Sequence, residues 1–93
     1  MNQQAAFGVA TVVLEGEGDY QYLPLGEFVV AAVGVCGGRP TIKGHRLDAR
    51  HILALIKRGD SKSAIAERFG IPPAAVNEVE ALAVRYDYEQ AYV

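Results

Sequence analysis

Helix punctuation between Asp48 and Pro73 constrains this chain more than any other feature. Asp48 is an acceptor side chain placed to cap a helix, Gly59 stands where that helix would end, and Ile52, Leu53 and Ile56 share a face between them. Asp60 and Ser61 offer a second cap ahead of Ile65, Ala66 and Phe69, and Gly70 supplies a second stop. Pro72-Pro73 then opens a third helix, because a first turn does not need proline's missing N–H. Val76, Val79, Leu82, Ala83 and Tyr86 form its apolar stripe. Three short helices with tight glycine and proline joints predict a compact tri-helical bundle.

The second and third of these helices carry the spacing of a helix-turn-helix. Such a motif needs a small residue where its helices cross, and Ala66 supplies it. Its turn needs a residue that tolerates positive φ, and Gly70 stands four positions on. Ile71, Val76 and Val79 anchor the second helix, which would present Ala74, Asn77, Glu78 and Ala81 to a major groove. Asn77 is suited to the bidentate contact that adenine offers, whereas Glu78 and Glu80 would repel phosphates.

Upstream, the chain reads as extended. Phe7 to Leu14 is rich in β-branched residues, Glu15 to Asp19 reads as a turn, and Tyr20 to Leu23 alternates, so a β-hairpin is expected. Residues 24–35 fit either a helix begun by Pro24, with Leu25, Phe28, Val29 and Ala32 on one face, or a fully buried strand. A hairpin is marginal alone, so it should complete a sheet with a second copy and give a twofold homodimer.

Net charge is −2, but it is segregated: residues 1–38 carry −4, residues 39–68 carry +5 and residues 69–93 carry −3. A phosphate backbone responds to the local field, so a central basic stripe permits nucleic-acid binding. Arg39, Lys43, Arg46, Lys62 and Arg68 are the candidate phosphate contacts, with Asn77 the candidate base contact. One cysteine, Cys36, excludes an intrachain disulfide and a thiolate zinc cage. No apolar run approaches the roughly 20 residues of a membrane span, and the start lacks a signal peptide's basic flank. A cytoplasmic protein is expected, with no membrane contact.

Enzyme chemistry has little to stand on. His45 and His51 have no cysteine or carboxylate at metal-ligand spacing, and Cys36 has no evident general base. No catalysis, metal or cofactor is expected. Glycines and a lysine occur near position 43, but the spacing of a phosphate loop is missing.

The segment Gly37-Gly38-Arg39-Pro40-Thr41-Ile42-Lys43-Gly44-His45-Arg46-Leu47 reads as a short stiff strand, residues 40–42, with a tight turn at Gly44. Followed by an amphipathic helix and a helix-turn-helix, it resembles the bacterial domain of unknown function family 433, which is regarded as related to VapB-type antitoxins. That family's usual pattern is Gly-Gly-Lys/Arg-Pro-x-Ile-x-Gly-Thr-Arg-Ile/Val. This chain departs from it at His45 and Leu47, and His45 alters the hydrogen bonding available at the turn. The resemblance covers residues 37–86. It implies a helix-turn-helix protein, often dimeric, encoded beside a PIN-domain ribonuclease toxin that it neutralises. Residues 61–84 would then face operator DNA, and flanking segments would grip the toxin.

The expected fold is α+β, an N-terminal β-hairpin followed by a tri-helical, homeodomain-like helix-turn-helix domain. Its parts are a β-rich dimerisation segment (1–36), the helix-turn-helix region (37–86) and a tail (87–93). The expected function is an antitoxin-like regulator, and the alternative is a protein-binding adaptor on the same scaffold without DNA binding. For the partner contact, Arg85, Tyr86, Tyr88 and Tyr92 are the candidates, because tyrosines at i, i+2 and i+6 do not share one helix face and aromatics outside a core suit an interface.

Overall fold

The computed structural model describes residues 13–93 of the 93-residue chain. Strands β1 (Glu15–Glu17), β2 (Tyr20–Pro24), β3 (Val29–Ala32) and β4 (Pro40–Ile42) come first, and helices α1 (Ala49–Arg58), α2 (Lys62–Phe69) and α3 (Pro73–Leu82) follow. The strands form one antiparallel meander in the order β1-β2-β3-β4. Tyr22 pairs with Ala32 across β2 and β3, and Val29 pairs with Ile42 across β3 and β4.

This arrangement corrects the expected one. The α+β class holds, but a hairpin joined to a homeodomain-like tri-helical domain is replaced by a four-stranded sheet that shares its core with the helices. Val29 and Ile42 pack in one cluster with Ile52, Leu55, Ile65, Val76 and Val79. The reason is physical: helices of 10, 8 and 10 residues are marginal by themselves, and the sheet gives them a second layer to pack on. The expected turn at residues 15–19 is partly strand, since Glu15–Glu17 pairs with Tyr20–Tyr22. Of the expected strand at residues 7–14, residues 7–12 lie outside the described residues, and Val13 and Leu14 are exposed and not in a strand.

Residues 29–32 resolve as strand because both faces are covered. On the helix side lies the main core; on the other, Val30 and Ala32 pack with Tyr22 and Val35, flanked by Tyr20 and Cys36. All four strand residues are buried, which is why the run shows no alternation. The loop after β4 folds over this second face. Its Gly44 N–H donates to the Tyr20 hydroxyl at 2.8 Å, and the Lys43 ammonium sits 5.6 Å from the Tyr22 ring centre.

The helix ends follow the sequence. Asp48 caps α1 by accepting from the Arg50 N–H, and Ser61 caps α2 by accepting from the Ala64 N–H. Each such cap stabilises by about 1 kcal/mol. Gly59 and Gly70 close their helices in the left-handed conformation.

Candidate functional site

The joint between α2 and α3 is built from the residues that mark it in the sequence. At Gly70 the backbone turns left-handed (φ 66°), and its N–H returns to the carbonyls of Ala66 and Glu67. The N–H of Ile71 donates to Ala66 at 3.0 Å, Ile71 is buried, and Pro72 and Pro73 begin α3 without a side-chain cap. Ala75, Val76 and Val79 face the core, so Pro73, Ala74, Asn77 and Ala81 face outward.

Glu78 does not face outward with them. Its carboxylate accepts the backbone N–H groups of Glu27, Phe28 and Val29 at 3.0, 2.7 and 2.8 Å, clasping the β2–β3 turn to α3. Gly26 makes room for it, since a Cβ there would stand 2.5 Å from the Glu78 Oε1. The expectation that Glu78 meets a major groove is therefore corrected: a carboxylate at the rim of the buried face found three donors inside. Glu80 is matched too, by an ion pair with Lys62 that ties α2 to α3.

The candidate phosphate contacts do not form one patch. Lys43 and Arg46 belong to the loop over Tyr20 and Tyr22, on the sheet face away from the helices. Arg39 pairs with Asp48 at 3.3 Å. Lys62 and Arg68 lie on α2 in the helical layer with Asn77, and the Arg68 guanidinium stacks 5.2 Å from the Phe69 ring centre. Beyond the expected set, Arg50 joins Glu89 and Asp48, the hydrogen bond to Glu89 foremost in raising its pKa, and Arg58 hydrogen-bonds Asp60, which raises Arg58 and lowers Asp60.

The tail is part of the domain. Tyr88 is 4% exposed and donates its hydroxyl to the Val79 carbonyl at 2.5 Å. That carbonyl lies in the last turn of α3, where the Ala83 N–H has turned instead to Glu80, so the phenol satisfies a helix-end acceptor. Tyr92 donates its N–H to the Gly38 carbonyl, and its ring meets Tyr86 edge-on at 5.5 Å. As a surface anchor Tyr88 is thus corrected, and Tyr86 and Tyr92 are half-buried against each other. Arg85 alone of the candidate partner contacts is exposed.

Between α1 and the bend that follows α3 runs an open groove of about 420 Å³. Leu53 and Ala83 line it, with Lys57 and Arg85 at its rim beside Val84, which is 92% exposed. Neither cation has a carboxylate partner among the described residues. Sequence reasoning missed this groove, because Lys57 and Val84 sit in different elements with no shared spacing.

Among the described residues no cluster of histidine, cysteine and carboxylates is placed to hold a metal ion, and no helix is long and apolar enough to cross a membrane. A family model described as "Protein of unknown function (DUF433)" matches residues 29–83, from β3 to just beyond α3. No curated protein and no solved structure matches the chain.

Proposed function

This chain belongs to the DUF433 family of proteins of unknown function, and we propose that it is a non-catalytic, antitoxin-like regulator that binds a PIN-type ribonuclease and operator DNA. DNA would be read by α2, its turn and α3. One observation supports this above others: the outward face of α3 opposes phosphate with no uncompensated carboxylate, because Glu78 is turned onto three backbone N–H groups and Glu80 onto Lys62. Asn77 is left at the front of that face, in the part of a second helix that enters a major groove.

The test is a titration of labelled duplex from the gene's own upstream region against random duplex, across a salt series. On this reading Arg68→Gln weakens binding to all sequences and lowers the salt slope by about one, whereas Lys43→Gln, on the far face, leaves the slope unchanged. Asn77→Ala relaxes preference at one base pair, by about 1–3 kcal/mol. For the protein partner, co-expression with a neighbouring PIN-type frame and co-purification is the direct assay.

A second reading, a protein-binding adaptor without DNA, is favoured by the dispersal of the bases. Arg39 and Lys62 are committed to carboxylates, and Lys43 and Arg46 lie away from α3. Absence of binding to either duplex at about 50 mM salt selects it.

A further inference from the structure

The groove between α1 and the bend after α3 has a matching surface elsewhere on the same chain. Its floor is apolar at Leu53 and Ala83, its rim bears the exposed Val84, and Lys57 and Arg85 leave it positive. The groove's one carboxylate, Asp87, accepts the Glu89 N–H at 2.9 Å and so is turned onto its own bend. Elsewhere on the chain, Val13 and Leu14 are exposed apolar residues running directly into Glu15 and Glu17 of the edge strand β1. Neither glutamate has a cationic partner among the described residues.

We infer that the segment Val13–Glu17 of one copy docks into the groove of a second copy, giving a twofold dimer in which each copy both donates and receives a segment. The apolar pair meets Leu53 and Val84, and the two carboxylates meet Lys57 and Arg85. A cavity of this size is within the range that holds a short segment's side chains. Reciprocal contacts of this kind close on themselves and do not propagate into fibres.

The alternative of two β1 edges pairing into a continuous sheet is disfavoured by the same residues. Antiparallel pairing centred on Gly16 would set Glu15 of each copy against Glu17 of the other, and like charges directly across a ladder are destabilising. Acidic side chains on a short edge strand are a common deterrent to that contact. On this inference a strand-to-groove contact takes the place of sheet completion. This inference does not depend on DNA or toxin binding.

The experiment is sedimentation of the full chain at tens of micromolar, with circular dichroism to confirm that each variant keeps its helices. Wild type is expected at twice the chain mass. Glu15→Lys with Glu17→Lys, and separately Lys57→Glu with Arg85→Glu, should each sediment as monomers, with self-association weakened tenfold or more. Mixed together, the two reversed proteins should form a heterodimer, since both of its interfaces again pair opposite charges. A monomeric wild type overturns the inference. So does a wild-type dimer that survives the groove reversal, or a mixture of folded variants that stays monomeric.

Discussion

Thr41 is fully buried, and its hydroxyl has no hydrogen-bond partner among the described residues. A buried polar atom without a partner carries a desolvation cost that an isosteric methyl does not. Thr41→Val should therefore stabilise the protein by about 1 kcal/mol, raising the thermal midpoint by roughly 4–8 °C. Tyr88 is the opposite case, a buried hydroxyl in use. Burial foremost, then the charge of Glu78 and then Tyr92, raise its pKa above the ordinary phenol value of about 10. The unfolded chain then ionises at lower pH than the folded one. Stability from this group is complete below about pH 10 and is lost as the pH rises further. Tyr88→Phe should flatten that alkaline fall in urea titrations and cost about 1–3 kcal/mol at neutral pH, since the Val79 carbonyl loses its donor. Neither fate was legible in the sequence. Position 41 sits in a three-residue strand too short for its pattern to show which face is covered, and Tyr88 lies beyond α3, off any helical period.

At the scale of elements, α3 is held to the sheet by the Glu78 carboxylate and to α2 by the Glu80–Lys62 pair. Two of the three N–H groups that Glu78 receives are half-buried, so water replaces it poorly. Glu78→Ala should cost about 2–4 kcal/mol and strip hydrogen-exchange protection from the amides of residues 27–29 first. Glu78→Gln keeps one acceptor oxygen and should lose less; equal losses for the two variants would mean that the contact contributes through packing instead. Helix limits were readable because they rest on local chemistry, with Asp48, Ser61, Gly59, Gly70 and Pro72-Pro73 each acting within a turn of where they stand. The strands were harder. Val29–Ala32 shows no alternation because both its faces are covered, and β1 is made of Glu-Gly-Glu, which reads as a turn until Tyr20–Tyr22 pairs with it. Glu78 looked like an outward charge; its one trace in the sequence is Gly26, a residue small enough to let the carboxylate approach.

In the molecule as a whole, among the described residues, sheet, helices and tail meet in one main core. Val29, Ile42, Ile52, Val79 and Tyr88 belong to a single cluster. Removing residues 87–93 takes an aromatic side chain from that cluster, together with the bond from the Tyr92 N–H to Gly38. The loss should reach about 3–5 kcal/mol, a large fraction of a small domain's stability, and appear as a lower urea midpoint. A truncated chain with an unchanged midpoint would show the tail to be dispensable.

The Glu78 clasp also bears on how the chain comes into being. The N–H groups of residues 27–29 are synthesised 49 to 51 residues ahead of the carboxylate that receives them. At roughly 5–20 residues per second, that leaves about 3–10 s in which the β2–β3 turn exists without its clasp. During that interval Val29 lacks the finished α3, whose Val76 and Val79 join it in the core, so the nascent chain carries apolar surface that its last helix has yet to cover, the kind of surface that chaperones engage.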